Sequence, residues 1–186
     1  MNAPAPKSNF IPAQEYLEGE EYTQTRHEYI NGAIYAMGGA SDKHGLIAGN
    51  VSAVLNIRLP ESCQVFQSDM KTHIKTQTQE IFYYPDVLVS CAQDDRETYY
   101  RNNPILIVEV LSPSTERLDR YEKFFNYQSL DSLQEYLLIE QRYRLGEIYR
   151  RSKGWQREIV SEGVVQLESV SLDISMDEIY RRVNWD

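Results

Sequence analysis

Nothing in this chain approaches the ~20 consecutive apolar residues that a membrane span requires, so no transmembrane helix is expected. Its start, Met1-Asn-Ala-Pro-Ala-Pro-Lys-Ser, carries no apolar run of the signal-peptide kind. Residues 1–9 read as a flexible tail ahead of a single domain over residues 10–186. Cysteine is scarce. Cys63 and Cys91 stand far apart and without metal-ligand spacing, which excludes a Cys-rich zinc site; reduced thiols in a cytoplasmic protein are the expectation. Basic charge is in deficit: the formal net charge is −9, which argues against a protein that simply coats nucleic acid. The chain also lacks internal repeats, a nucleophile elbow, a phosphate-cradling glycine loop and a His-Glu-x-x-His helix.

What is there begins with punctuation. A short helix over residues 13–22 precedes His27-Glu-Tyr-Ile, then Asn31-Gly32, then Ala33-Ile-Tyr-Ala-Met. Asn-Gly between two alternating runs is a strong hairpin signal, because both turn positions need positive φ. Ser41 offers a helix N-cap and Asp42 suits the positive end of the helix dipole. Ile47, Val51, Val54, Leu55 and Arg58 follow at three-to-four spacing, giving an amphipathic helix over 42–58 that stops near Pro60. Three strands are expected at Cys63–Ile74, Ile81–Ser90 and Ile105–Leu111, the last apolar on both faces as a central strand should be. A second helix spans 116–129, with Leu118, Tyr121 and Phe125 on one stripe. Glu135–Glu140 is a further strand, β segments follow around Gly146, Gly154 and Gly163, and Ser175 and Glu178 have capping-box spacing for a last small helix. Helix, three strands, helix, strand is an α/β sandwich with a mixed sheet.

Glu109 is the most informative residue. It sits mid-strand on the face of Ile107 and Leu111, where an isolated carboxylate costs several kcal/mol or neutralises itself. A metal ion or an Arg partner would equally explain it. Asp86 follows Pro85, which cannot donate to a sheet ladder and marks a strand opening. Carboxylates on neighbouring strands, ~4.8 Å apart, come within one ion's reach, and Mg²⁺ needs only one or two of them plus waters. Lys123 is the candidate cationic partner, although an i,i+4 pair with Asp119 on a solvated helix face is the simpler reading. His44 shares the stripe of Ile47 and Val51 and reads first as a hydrogen-bonded core histidine, second as a group at a phosphate or metal-bound water. Glu28, Asp69 and His73 read as solvated strand residues. The late basic cluster of Arg142, Arg144, Arg150, Arg151, Lys153 and Arg157 reads as a solvated hairpin face, with a DNA-contacting surface as the alternative.

The segments Tyr83-Tyr-Pro-Asp-Val-Leu-Val, Pro104-Ile-Leu-Ile-Val-Glu-Val-Leu-Ser-Pro-Ser-Thr and Asp119-Arg-Tyr-Glu-Lys-Phe-Phe-Asn-Tyr, with Glu135-Tyr-Leu-Leu-Ile, together resemble the Uma family. Glu28-Tyr-Ile-Asn-Gly and Ser41-Asp-Lys-His44 fit the same pattern, and the resemblance spans roughly residues 10–180. The Uma proteins are PD-(D/E)xK restriction-endonuclease-like proteins abundant in cyanobacteria. The resemblance implies a restriction-endonuclease-like core (αβββαβ, a mixed sheet flanked by helices) with an N-terminal hairpin and a C-terminal β extension. It implies Mg²⁺- or Mn²⁺-dependent hydrolysis of DNA phosphodiesters, with Asp86, Glu109 and the Val110 carbonyl as metal ligands. Lys123 matches the family's displaced lysine, with Leu111 in the usual lysine position, and Glu28 and His44 match additional site positions. A homodimer is a further expectation. Two other classes stand beside this one. A catalytically silent nuclease-fold interaction or nucleic-acid-binding module suits the acidic balance, whereas a zinc hydrolase using His27, His44 and His73 lacks the spacing.

Overall fold

The computed structural model describes residues 10–185, so the expected tail over 1–9 lies outside the described residues. Asn31 and Gly32 take φ values of 49° and 91°, the pair of positive angles a two-residue hairpin turn needs. They join β1 (His27–Ile30) to β2 (Ala33–Ala36), with Ile30 opposite Ala33. Before this hairpin lies α1 (Ala13–Glu20) and after it α2 (Asp42–Arg58). Ser41 caps α2 as expected, its hydroxyl oxygen accepting from the His44 N–H at 3.2 Å. Ile47, Ala48, Val51 and Leu55 are the buried stripe of α2.

Two of the three expected strands are broken, and each half joins a different sheet. The stretch 63–74 divides into β3 (Gln64–Gln67) and β4 (Lys71–Lys75), separated by Ser68 in the left-handed region at φ 61°. The stretch 81–90 divides into β5 (Glu80–Tyr83) and β6 (Val87–Ser90) at Pro85-Asp86, where the missing proline N–H interrupts the ladder. A short strand the sequence did not announce, β7 (Tyr100–Arg101), pairs in parallel with β4. One sheet then runs β2-β1-β5-β4-β7.

The second sheet is built on β8 (Leu106–Leu111), which pairs antiparallel with β6 and parallel with β9 (Glu135–Glu140). Its order is β11-β10-β9-β8-β6-β3, with β10 (Gly146–Arg150) and β11 (Arg157–Val160) extending it. All six residues of β8 are buried, the signature of a strand covered on both sides. Leu106, Val108 and Val110 pack towards α2, while Ile107 and Leu111 join an aromatic layer with Tyr83, Tyr127 and Tyr136. By the same alternation Glu109 is aimed into that second layer. β12 (Val164–Leu167), β13 (Leu172–Ser175) and α4 (Met176–Ile179) close the α2 side, and Ser175 and Glu178 form the expected capping box. The expected mixed α/β architecture is therefore the one observed. No helix of the described residues is long and apolar enough to cross a membrane.

The crossover from β8 to β9 departs from expectation. Residues Leu118–Lys123 form a π-helical turn that runs into α3 (Phe124–Tyr127). Tyr121 and Phe125, expected on a packing stripe, are 67% and 73% exposed, while Asp119, Lys123 and Tyr127 face inward. The polar stripe is drawn in because Glu109 and Glu28 offer the Lys123 ammonium partners that an apolar core does not.

The cysteines are a second correction. Gln64 pairs with Ser90 across β3 and β6, so Cys63 and Cys91 follow directly opposite each other with their Cα atoms 4.1 Å apart. They form a disulfide, contrary to the expectation of free thiols. Distance along the chain concealed a neighbour relation that only strand register reveals.

Candidate active site

Breaking the second expected strand at Pro85 leaves Asp86 between the two sheets, with β8 beside it. The Asp86 N–H donates to Glu109 Oε2 at 3.3 Å, and the Val110 N–H donates to Asp86 Oδ2 at 2.7 Å. The backbone thus crosses between the carboxylates and holds them side by side. From the first turn of α2, His44 Nε2 comes within 3.1 Å of Asp86 Oδ2. The core stripe expected for His44 turns here into a site contact.

Behind this pair lies Lys123. Its Nζ is 2.9 Å from Glu28 Oε1, 3.2 Å from Glu109 Oε1 and 3.4 Å from Asp119 Oδ1. The expected i,i+4 partner is present, yet at 4% exposure for Lys123 and 2% for Asp119 this is an interior pair, not a solvated one. Glu28 likewise turns inward at 7% exposure, correcting the expectation of a solvated strand carboxylate. Tyr127 Oη donates to Glu109 Oε1 at 3.0 Å, and Tyr136 Oη donates to the Asp119 carbonyl at 3.0 Å. Tyr136 thus satisfies a carbonyl of the π-helical turn, a kind of turn that recurs at functional sites.

Charge does not balance in this cluster. Glu28, Asp86, Glu109 and Asp119 meet one lysine and one histidine. Burial pushes the Glu109 carboxyl well above the usual carboxylate range; Lys123 opposes the shift, while Asp119, Asp86 and Glu28 reinforce it. Asp119 is raised in the same way, by burial first. Burial works against the Lys123 ammonium, but Glu109, Glu28 and Asp119 outweigh it and hold its pKa well above the ordinary lysine value. Burial also works against the His44 imidazolium, and Asp86 outweighs it, leaving the pKa raised. Glu28 Oε1 and Asp119 Oδ1 lie near the ammonium but off its hydrogen-bonding directions, so each buried oxygen has charge contact without a hydrogen bond.

A hard cation fits this donor set. Mg²⁺ and Mn²⁺ prefer oxygen ligands and complete their shells with water and substrate, so the Asp86–Glu109 pair suits them. Among the described residues no group of three His, Cys, Asp or Glu side chains converges as a ready-made metal cage. Zinc does not fit: His27 pairs with Glu20, His44 with Asp86, and His73 with Glu80, in three separate places.

The cluster opens into a cleft of about 510 Å³ whose walls include Arg26, Tyr35, Gly38, His44, Ser112 and Asp119. Five of the residues singled out from the sequence, Glu28, His44, Asp86, Glu109 and Lys123, line it, and Val110 touches the cluster through its N–H on Asp86. Asp119 and Tyr127 were not singled out as site residues; the signal available was their four-residue spacing with Lys123. Asp69 is exposed and pairs with Arg26 at the cleft rim at 2.8 Å. His73 stacks on Phe82 at 4.3 Å between centroids, outside the cleft lining.

The late basic cluster lies at the surface in ion pairs, with the Arg142, Arg144, Lys153 and Arg157 side chains about half exposed and Arg150 buried. Arg142 pairs with Glu140 and Glu116, Arg144 with Asp177, Arg150 with Glu135 and Glu158, Lys153 with Glu158, and Arg157 with Glu147. Arg151 donates to the carbonyls of Leu130 and Leu133. None of the six lines the cleft.

Comparison with known proteins gives the family and the fold. Residues 13–177 match the Uma2 family, described as "Putative restriction endonuclease". The uncharacterized protein slr1290 of Synechocystis sp. is 37% identical over 185 residues, covering 97% of this chain and 95% of that one. The uncharacterized protein sll1609 of the same organism is 36% identical over 138 residues, covering 72% and 77% respectively. Among solved structures, a protein from Anabaena variabilis titled "a putative nuclease belonging to DUF820" superposes with a TM-score of 0.72. That match has 20% identity and covers 91% of this chain and 97% of the other, which makes the fold a shared one.

Proposed function

Because this chain belongs to the Uma2 family, described as "Putative restriction endonuclease", we propose that it is a metal-dependent endonuclease that hydrolyses DNA phosphodiester bonds. The observation that carries the proposal is the excess of buried carboxylates over cations in the cleft. Asp86 and Glu109, with the Val110 carbonyl, would hold Mg²⁺ or Mn²⁺. The bound ion supplies Lewis-acid charge at the scissile phosphate. His44 holds Asp86 in orientation through the 3.1 Å contact. Glu28 and Asp119 keep Lys123 charged and fixed. An ammonium held this firmly is suited to donate to a phosphate oxygen or an incoming water, and unsuited to accept a proton. Tyr127 donates to Glu109 Oε1, the oxygen that also faces Lys123, and leaves Oε2 towards Asp86.

The test is cleavage of plasmid and short DNA substrates with Mg²⁺ or Mn²⁺, comparing the wild type with Asp86→Asn and Glu109→Gln. Loss of cleavage in both variants with folding retained is expected; cleavage undiminished in both refutes the proposal. A catalytically silent nuclease-fold binding module is the second reading, favoured by the net charge of −9 and by the internal pairing of the late basic residues. Absence of cleavage under any divalent ion would select it. The proposal also carries a homodimer in the cytoplasm, to be read by sedimentation and cell fractionation; the Cys63–Cys91 disulfide weighs against a reducing compartment.

A further inference from the structure

The cleft wall nearest the N-terminal hairpin is built differently from the carboxylate floor. Tyr35 is the register partner of Glu28 across β1 and β2. Opposed residues of an antiparallel pair share a sheet face, so the Tyr35 ring stands on the side where Glu28 enters the cluster. It is 54% exposed and lines the cleft, one strand outward from the site. Arg26 lies two residues before Glu28, its carbonyl accepting from the Met37 N–H at 2.8 Å as the hairpin ladder continues. It too lines the cleft, with its guanidinium on the Ser68 carbonyl and on Asp69. Beyond Tyr35, Gly38 and Gly39 leave open space where a Cβ would stand, so the backbone there is free to be approached.

Charge separates the candidate substrates. A duplex tracked across a cleft presents phosphates on two strands, and binding it needs several Lys or Arg side chains along the path. The Lys and Arg residues lining this cleft are Arg26 and Lys123, and Lys123 is buried among carboxylates. A half-exposed guanidinium, steadied by Asp69 and the Ser68 carbonyl, beside an exposed aromatic ring is instead the minimal platform for a single strand, in which a base stacks on the ring and the adjoining phosphate meets the guanidinium.

We propose that the substrate is single-stranded DNA, held with one unpaired base stacked on Tyr35 and an adjacent phosphate at Arg26. The inference rests on the nuclease reading of the same site and specifies what that site receives. Unpaired segments such as single-stranded ends or flaps are the form of DNA that offers such a base.

The experiment uses the full chain and fluorescently labelled DNA of one sequence, single-stranded or duplex, at fixed salt. Binding is read by anisotropy with Ca²⁺, and cleavage with Mg²⁺ or Mn²⁺. The single strand is expected to bind at least tenfold more tightly than the duplex. Tyr35→Ala should weaken single-strand binding by about tenfold, the scale of one lost base stack, while Tyr35→Phe retains it. Arg26→Gln should weaken binding and flatten its salt dependence. Equal affinity for both forms, no binding of either, or single-strand binding unchanged in Tyr35→Ala overturns the inference. Metal-dependent cleavage that ignores Tyr35 overturns this inference and leaves the nuclease reading standing. Tyr35-dependent binding without cleavage under any divalent ion sinks the nuclease reading and with it the role of the strand as substrate, leaving a single-strand binding site.

Discussion

Replacing Lys123 with methionine removes the one cation at the centre of three buried carboxylates while conserving most of the side-chain volume. At separations of 2.9 to 3.4 Å, each attraction is worth roughly 5 kcal/mol at an effective dielectric of 20, before desolvation is subtracted. Removing one partner of such a buried arrangement typically costs about 3–5 kcal/mol, because uncompensated charge stays inside. For a chain of this size that corresponds to a fall in melting temperature of about 6–20 °C. The loss should depend on pH in a definite direction. Once Lys123 is gone, Glu109 and Asp119 lose what opposed their burial, so their folded pKa values rise further above the unfolded ones. Stability of the variant must then fall as pH rises above about 4.5, the ordinary carboxylate range, and return towards the wild type in acid. Thermal unfolding of wild type and Lys123→Met at pH 5 and pH 8 checks both parts. A variant within about 2 °C of the wild type at pH 8, where a solvated surface lysine would leave it, refutes the buried-cation argument.

Four further outcomes follow from the same geometry. In the metal-free wild type, Glu109, Asp119 and His44 all have raised pKa values. The folded state therefore holds protons that the unfolded chain releases, and urea midpoints should fall between about pH 4.5 and 8. Saturating Mn²⁺ should flatten that fall, since it binds the folded cluster and supplies the missing charge; an unchanged slope contradicts the charge imbalance. Glu140, drawn below the usual range because Arg142 outweighs its burial, acts in the opposite sense: its contribution is present above about pH 4.5 and is lost as pH falls through its depressed value. Tyr127→Phe removes one hydrogen bond to a buried carboxylate and should cost about 1.5–3 kcal/mol in stability. Reducing the Cys63–Cys91 bond, or making the double Cys→Ser variant, should lower stability by about 3–4 kcal/mol for its separation of 28 residues, read by unfolding with and without a dithiol.

The sequence carried the elements whose signals are local. Asn31-Gly32 demands a tight hairpin, Ser41 caps a helix, and an apolar run around a lone Glu109 marks both a central strand and a site. What it concealed was long-range. Pro85 signals an interruption but not that β5 and β6 leave for different sheets, which is what brings Asp86 beside β8. Cys63 and Cys91 look unrelated until the Gln64–Ser90 register sets them opposite each other. The helix after β8 was read by its apolar stripe, Tyr121 and Phe125, because periodicity rewards hydrophobic burial. The ion cluster won that competition: Lys123 has partners only inside, so the polar stripe turns in and Asp119 joins the site. The late arginines carry no mark in the sequence of the carboxylates they meet, and strand pairing alone sets Arg150 against Glu135.

At the centre of the proposal stands a cluster whose surplus negative charge is kept for a divalent cation. Anomalous diffraction from crystals grown with Mn²⁺ tests this most directly. A single peak bridged by Asp86 and Glu109 oxygens and reached by the Val110 carbonyl, at oxygen distances near the ~2.0–2.1 Å of octahedral Mg²⁺ sites, and lost in Asp86→Asn, is the predicted result. Mn²⁺ at millimolar concentration leaving the cleft without a peak, or binding elsewhere while Asp86 stays locked to His44, would contradict it.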